Sequence, residues 1–225
     1  MTEAALKSGK VNLVNFSYRT WPGVELARQL IQEGELGDVL HFEGHFFQDY
    51  AFNPDLPFPG GSTNRFPEAV PSVISGSHIM DIACALMGPV ESITARSRRL
   101  YEKRPVGAPD AKQVTVDDLT ASLVQFSNGA LGSVHASWAA TGHKSDLSFS
   151  VTGTKGALSF SWERNNELHL FSAADPQRTG GFRRIMLGGI HPEADPFWYA
   201  QGQGLRVWRS FCHYRAKGDR GCDHR

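Results

Sequence analysis

The sequence of 225 residues has few cysteines, no excess of charge and no long apolar run. Its three cysteines, Cys84, Cys212 and Cys222, fit a reducing compartment better than a disulfide framework. Basic and acidic residues number 23 each, so no overall field attracts nucleic acid or an anionic membrane. No run approaches the ~20 apolar residues that span a bilayer, and the first ten residues have no signal-peptide core. We therefore expect a cytoplasmic protein whose partner is a small molecule or another protein chain.

Three motifs that would indicate nucleotide binding or hydrolysis are also missing. The sequence has no GxGxxG turn after a first strand and no GxxxxGK[ST] loop, so it offers no cradle for nucleotide phosphates. It has no GxSxG turn that would expose a nucleophilic serine. Function must therefore be sought in other side chains.

The first half of the chain predicts a mixture of elements. The stretch VNLVNFSY, Val11–Tyr18, is typical of a short buried strand, and a helix is expected from Pro22 to about Gly34. Alternation in VLHFEGHFFQDY predicts a half-exposed strand. Prolines and a Gly-Gly pair predict a long loop over residues 51–72, and a second helix is expected from Gly76 to Met87.

The second half predicts strand after strand, joined by tight turns. Asn128-Gly129 favours a hairpin with positive φ angles, the GTKG segment closes a second hairpin, and RNN closes a third. Successive hairpins make an antiparallel sheet. The predicted class is α+β, an open, mostly antiparallel sheet with helices on one face.

His78, close to the predicted start of the second helix, is the strongest catalytic candidate. The positive end of the helix dipole would keep its imidazole neutral and ready to exchange a proton with a hydroxyl or carbonyl. A polar residue near a helix start with no further role explains it equally well. Arg19 could hold an anionic or polyhydroxyl ligand or simply face water.

The C-terminal tail raises the question of a zinc site. Cys212, His213, Cys222 and His224 lie within CHYRAKGDRGCDH, but each pair is adjacent or one residue apart, unlike the usual ligand spacing. A basic tail without metal is favoured over zinc. A zinc-binding tail on an inert domain stays as a weaker alternative.

Several segments, in this order, resemble the Gfo/Idh/MocA oxidoreductases, the family of glucose-fructose oxidoreductase and the inositol dehydrogenases. The likeness runs from about Glu3 to Leu205 and includes the inositol-dehydrogenase-like branch. The segments that carry it are VNFSYR, ELARQLIQEGELGDVLHFEGHFFQD, GSHIMDIACALMGPVESITA, VTGTKGALSF, ERNNELHLF, GFRRIML and HPEADPFWYAQGQGL.

The resemblance implies NAD- or NADP-dependent hydride transfer at a secondary alcohol of a sugar or cyclitol. It places the proton-exchanging histidine at His78 and substrate-binding side chains at Tyr18 and Arg19. It implies homo-oligomers assembled through the open face of the sheet, and we expect that face to be exposed and apolar. It predicts three parts: residues 1–19 as the last helix and strand of a Rossmann domain, 20–205 as the substrate and oligomerisation domain, and 206–225 as an irregular tail.

Two departures from the family pattern lead us to expect a truncated, inactive fragment. The glycine loop and catalytic lysine of the Rossmann half would lie upstream of Met1. The family's GDIGSH is VISGSH here, so Ile74 stands where the family has aspartate. We expect no dehydrogenase turnover and poor solubility. A non-catalytic sugar-binding or oligomerisation module is the alternative.

A local shift of reading frame would explain the second departure. The codons GGT GAT ATC encode Gly-Asp-Ile, and read one base later they give Val-Ile-Ser, the residues at 73–75. A similar shift would convert the tail into a segment resembling the family's terminal helix. We hypothesise out-of-frame translation over about 61–75 and 206–225, which the genomic DNA would decide.

Overall fold

The computed structural model describes residues 2–55, 71–107, 110–114 and 116–191. It contains three α-helices: α1 (Thr2–Ser8), α2 (Pro22–Gln32) and α3 (Pro71–Met87). Short 3₁₀ helices span Ser17–Thr20 and Trp162–Arg164. The strands are β1 (Val39–Phe47), β2 (Val90–Arg98), β3 (Lys103–Gly107), β4 (Asp110–Gln113), β5 (Leu119–Phe126), β6 (Leu131–Ser137), β7 (Asp146–Gly153), β8 (Gly156–Ser161), β9 (Glu167–Ser172) and β10 (Arg183–Met186).

Eight strands form one open sheet in the order β10-β9-β8-β7-β1-β6-β5-β2. Only the β1–β6 pair in this sheet is parallel, while all the other described pairs are antiparallel. The predicted α+β class with an open, mostly antiparallel sheet is confirmed. The hairpins at Asn128-Gly129 and at Gly153–Gly156 are also where the sequence predicts them, and Gly129 has a φ of 86°.

The core lies between one face of the sheet and helices α2 and α3. Helix α3 buries the four side chains expected from its spacing, Ile79, Ile82, Ala83 and Leu86. Helix α2 begins with proline at its first position, which suits a helix start, and Val24 and Ala27 are its most deeply buried apolar side chains. The strands contribute alternate residues, as a half-buried sheet requires.

The packing of Phe42 on β1 explains why residue 44 of the same strand is a glycine. The Phe42 ring is fully buried between the rings of Phe126 and Phe149, with centroids 6.3 and 6.2 Å away. A Cβ on Gly44 would lie 2.6 Å from a Phe42 ring carbon and 3.0 Å from Ile79 Cδ1. The glycine therefore allows Phe42 and α3 to pack closely on β1.

The predicted strand at Val11–Tyr18 is wrong. Residues 11–16 have no regular structure, and Ser17–Thr20 forms a 3₁₀ helix. Val11, Leu13 and Val14 are 62–75% exposed. Apolar composition makes a strand only where a neighbouring strand accepts its hydrogen bonds, and no described strand pairs with this segment.

The second helix begins earlier than predicted. It starts at Pro71, five residues before Gly76, and residues 71 and 72 belong to it instead of to the loop. Proline suits the first turn of a helix because its missing N–H has no partner there. Pro71 is one of the prolines that predict the loop, and in the structure it opens the helix.

A second, two-stranded sheet of β3 and β4 follows β2 and was not predicted. Arg104 on β3 is 2% exposed and lies 3.7 Å from the carboxylate of Asp118, which is equally buried. The same guanidinium donates to the carbonyls of Ala51 and Asn53. Arg104 thus ties the small sheet to the chain that follows β1.

The face of the large sheet away from the helices differs from the expected apolar surface. Its outward side chains on β1, β7, β8 and β9 are mostly polar: Glu43, His45, Ser148, Ser150, Ser159, Ser161, Glu167 and His169 line a cavity of about 270 Å³ together with Arg164. Outward apolar side chains occur on β5 and β6, where Leu123 and Leu131 are 68% and 59% exposed. Among the described helices, none has the length and apolar run needed to cross a bilayer.

Candidate functional site

The predicted site residues meet at one edge of the large sheet. Strands β1 and β6 are parallel, so their carboxyl ends point the same way and the segments that follow them lie side by side. The backbone N–H of Gln48 donates to Ser137 O, and Ala51 N–H donates to Trp138 O. The Ser17–Thr20 helix and the middle of α3 complete this edge, which brings His78 and Tyr18 together.

His78 lies among aromatic side chains. Its ring makes edge contacts with Tyr18, Phe16 and Phe46, with centroids 4.9, 5.6 and 6.3 Å away. Its Nδ1 is buried and has no hydrogen-bond partner among the described residues. Ile74, where the family has aspartate, precedes His78 by four residues in the same helix, a spacing that places two residues on one face.

Burial, and not the helix dipole, sets the charge of His78. With α3 starting at Pro71, His78 lies in the third turn instead of the first, so the expected dipole effect does not apply. Desolvation lowers the pKa of His78 below its usual value, and the nearby carboxylate of Asp81 opposes this shift. The imidazole is therefore neutral at pH 7, as the sequence reading expected for a different reason.

Tyr18 bridges His78 to the loop before β7. Its ring packs on Phe46 and Trp162, at 5.6 and 4.6 Å between centroids. Burial raises the pKa of Tyr18, and a hydrogen bond with the side chain of Ser145 lowers it in part. The phenol thus stays protonated at neutral pH and its hydroxyl lies at the site.

Arg19 makes a two-point ion pair with Asp81 on α3. Its Nε donates to Asp81 Oδ2 at 2.8 Å, and its Nη2 donates to Asp81 Oδ1. The side chain of Asp81 is 7% exposed and that of Arg19 is 45% exposed. This pair links the 3₁₀ helix to α3 beside His78, and the sequence reading, which considered only a ligand or water for Arg19, missed it.

Asp49 and Lys144 are polar site residues that the sequence reading also missed. Lys144 Nζ lies 2.5 Å from Asp49 Oδ2, and the Lys144 side chain is 76% exposed while that of Asp49 is 9% exposed. The hydrogen bond from Lys144 lowers the pKa of Asp49 despite its burial. Lys144 directly precedes Ser145, the partner of Tyr18. The sequence signal that could have indicated Asp49 is its position, two residues after the end of strand β1.

Ser75 holds α3 against the two strand ends. It is fully buried, donates to Gln48 Oε1 at 3.1 Å and accepts from Trp138 Nε1 at 2.5 Å. These hydrogen bonds satisfy buried polar groups from three separate segments. Ser75 therefore fixes the turn of α3 that directly precedes His78.

The structure does not extend to the rest of the predicted features. The tail at 206–225, including Cys212, His213, Cys222 and His224, lies outside the described residues, as do residues 61–70 of the segment proposed to be out of frame. Within the described ranges, no cluster of histidine, cysteine and acidic side chains has the geometry of a metal site.

The lowered pKa of His78 predicts a pH dependence of stability. In the unfolded chain, histidine protonates near pH ~6.5. Folded His78 protonates at lower pH. Below about pH 6.5 the unfolded state therefore binds more protons, and the free energy of unfolding decreases as the pH is lowered. Between pH 7.5 and pH 5, the free energy of unfolding measured with urea should decrease less for His78→Gln than for the wild type.

The matched control for this effect is His135→Gln, which removes an exposed imidazole from β6. Its pH dependence should equal that of the wild type, because His135 is exposed and its replacement leaves the burial of His78 unchanged. Equal losses in the wild type and in His78→Gln would show that His78 is not desolvated.

Comparisons with known proteins identify the family of the chain. Residues 24–159 match the family described as the GFO/IDH/MocA C-terminal domain. The chain belongs to this family. It is 31% identical over 224 residues to levoglucosan dehydrogenase of Pseudarthrobacter phenanthrenivorans, an alignment that covers 91% of the chain and 56% of that protein.

Solved structures show the same relationship. A levoglucosan dehydrogenase in complex with NADH and levoglucosan superposes with a TM-score of 0.84 at 29% identity, covering 93% of this chain and 57% of that one. An inositol dehydrogenase homologue from Azotobacter vinelandii, complexed with NADH and myo-inositol, has a TM-score of 0.76 at 18% identity and shows the shared fold, covering 98% of this chain and 56% of that one. The chain thus spans a little over half the length of these relatives.

Proposed function

We propose that this GFO/IDH/MocA domain is the substrate-binding and proton-accepting part of an NAD- or NADP-dependent dehydrogenase for a sugar or cyclitol. The observation that carries the proposal is a neutral imidazole, His78, held against the ring of Tyr18, whose hydroxyl is hydrogen-bonded to Ser145, the residue after Lys144. The relatives complexed with levoglucosan and with myo-inositol indicate the class of ligand. The proposed ligand groups are the Tyr18 hydroxyl, the Lys144 ammonium and, through its exposed part, Arg19.

The chemistry proposed for His78 is removal of a hydroxyl proton. A neutral imidazole nitrogen can accept the proton that an alcohol loses as it becomes a carbonyl. The aromatic rings around His78 shield its buried Nδ1 side from water, and the Asp81 carboxylate would stabilise the imidazolium once it forms. The Tyr18 hydroxyl and the Lys144 ammonium can donate hydrogen bonds that orient the other hydroxyls of the ring.

The described residues do not fit a dinucleotide. A pyrophosphate is usually bound by a glycine-rich turn between a strand and a helix N-terminus, and the described parts of the chain contain no such unit. NAD or NADP would accept the hydride in the complete reaction. We propose that the described residues by themselves do not support dehydrogenase turnover.

Calorimetric titration of the chain with levoglucosan and with myo-inositol tests the proposal. We expect saturable binding of at least one of them and no binding of NADH, measured by its fluorescence. NADH binding at micromolar concentration would contradict the assignment to the substrate part alone. If neither sugar nor cyclitol binds, and NADH does not bind either, the chain is not the substrate part of such an enzyme.

Lys144→Met should weaken sugar binding by about tenfold, because a charged hydrogen bond to a ligand hydroxyl contributes about 1.4 kcal/mol or more. The matched control is Lys155→Met, which removes an amine from the turn between β7 and β8, away from His78. Lys155→Met should bind as tightly as the wild type. Equal affinity in all three proteins would show that Lys144 does not bind the ligand.

The second candidate is an oligomerisation module without redox chemistry. The observation in its favour is the large outward sheet face, which no described element covers. We propose that the chain forms homo-oligomers through this face. This proposal and the sugar site are compatible, because the face and His78 lie on different surfaces of the sheet.

A further inference from the structure

Two aromatic side chains are exposed in the segment that follows β1. Tyr50 is 51% exposed and Phe52 is 44% exposed. Tyr50 directly follows Asp49, the partner of Lys144, and its ring meets the half-buried ring of Trp138 edge to face, with centroids 5.6 Å apart. We call Tyr50 and Trp138 the aromatic pair. One exposed ring is ordinary on a protein surface, so its setting decides whether it has a role.

The backbone that carries the exposed rings is held from several sides. The N–H of Ala51 donates to Trp138 O at 2.6 Å, and Ala51 O accepts a hydrogen bond from the buried guanidinium of Arg104. The Tyr101 hydroxyl donates to Phe52 O at 2.8 Å. Exposed rings on a fixed backbone are pre-organised, because a ligand that packs on them orders little more of the chain.

Trp138 fixes the aromatic pair relative to α3. Its indole N–H donates to the hydroxyl of Ser75, which in turn donates to Gln48 Oε1 at 3.1 Å. Ser75 lies in the turn of α3 that directly precedes His78. The position of Trp138, and of the Tyr50 ring that contacts it, is therefore set by the same hydrogen bonds that hold this turn of the helix.

The Tyr50 phenol also lies near the Tyr18 phenol. Burial raises the pKa of Tyr18, and an electrostatic interaction with Tyr50 raises it further. The Tyr18 ring in turn contacts His78, at 4.9 Å between centroids. A ligand held at His78 and Tyr18 would thus have the exposed ring of Tyr50 beside it.

We propose that Tyr50, supported by Trp138, stacks on a second ring of the ligand, so that the substrate is a sugar or cyclitol joined to another sugar. This inference rests on the function proposed above and extends it to a ligand of two rings. The C–H groups on one face of a sugar ring carry partial positive charge and pack on the negative face of an aromatic ring. The exposed ammonium of Lys144 can donate to hydroxyls at the edge of either ring.

Calorimetric titration of the full chain with two pairs of ligands tests this subsite. The first pair is levoglucosan and 1,6-anhydrocellobiose, which is levoglucosan joined to a second glucose. The second pair is myo-inositol and galactinol, which is myo-inositol joined to galactose. In at least one pair, the two-ring ligand should bind roughly three- to tenfold more tightly than its one-ring counterpart, because stacking adds a contact.

The variants Tyr50→Ala and Tyr50→Phe identify the ring as the source of this gain. Tyr50→Ala should remove the gain and leave the one-ring affinity unchanged, whereas Tyr50→Phe keeps a ring and should keep the gain. Tyr50 is exposed, so neither change disturbs the core. The matched control is Phe182→Ala, which removes a ring of similar exposure beside the edge strand β10 and should keep the gain.

Three results would contradict this inference and leave the proposed function standing. They are equal affinity for the one-ring and two-ring ligands in both pairs, an equal loss of both affinities in Tyr50→Ala, and a gain that persists in Tyr50→Ala. If the wild type binds none of the four ligands, the proposed function itself is wrong, and the second-ring subsite with it.

Discussion

Replacing Arg104 by methionine is expected to lower the free energy of unfolding by about 3–5 kcal/mol, because it leaves the buried carboxylate of Asp118 without its partner. The two side chains are each 2% exposed and 3.7 Å apart. The guanidinium also donates to Asn53 O at 3.0 Å and lies 4.8 Å from the centre of the Tyr101 ring. Removing it leaves two carbonyls without this donor, and it leaves the Asp118 carboxylate with the backbone N–H of Leu100 but without the buried cation.

Urea unfolding monitored by circular dichroism measures this loss, with Arg183→Met as the control. Arg183 is 51% exposed in its pair with Asp175, so its replacement should cost less than about 1 kcal/mol. Equal effects of the two substitutions would mean that Arg104 does not anchor the chain after β1. Because that chain begins beside Asp49, the Arg104 variant should also bind sugar more weakly.

Phe42→Ala is expected to lower the free energy of unfolding by about 3–5 kcal/mol, because it opens a cavity in the middle of the core. The Phe42 ring is fully buried between two other phenylalanine rings, and Gly44 leaves room for it. The surrounding strands are hydrogen-bonded on both sides of β1 and cannot close the space.

Phe182→Ala is the matched control, since Phe182 is 56% exposed. Its loss should cost less than about 1 kcal/mol. Urea unfolding of both variants, fitted with the same dependence of the free energy of unfolding on urea concentration, measures the two losses. If Phe42→Ala unfolded at the wild-type urea concentration, the assignment of the core to this sheet face would be wrong.

The hairpins and the α3 core were predictable because their signals are local. Asn128-Gly129 requires positive φ angles, and the spacing of Ile79, Ile82 and Leu86 already defines one helical face. The strand predicted at Val11–Tyr18 failed because a strand depends on a partner from elsewhere in the chain. The predicted start of α3 was wrong because a proline such as Pro71 can end an element or begin one, and composition does not distinguish these uses.

The site was predicted only in part. Local sequence singles out His78 and Arg19, and the family resemblance adds Tyr18; the structure brings the His78 and Tyr18 rings into contact, and the role of these residues in a substrate site stays a prediction. Asp49, Lys144 and Ser145 were missed because they come from two loops almost 100 residues apart, which only the pairing of β1 with β7 brings into contact. The lowered pKa of His78 agrees in direction with the predicted neutral imidazole, but its cause is burial among aromatic rings instead of a helix N-terminus.

The most direct test of the central claim, that His78 belongs to a sugar-binding and proton-accepting site, is the NMR signal of its ring during titration with levoglucosan or myo-inositol. The signal is assigned by its absence in His78→Gln. We predict that it titrates below the usual histidine pKa and shifts to saturation with one of the two ligands. A ring signal that does not shift with either ligand and titrates like that of an exposed histidine would contradict the account.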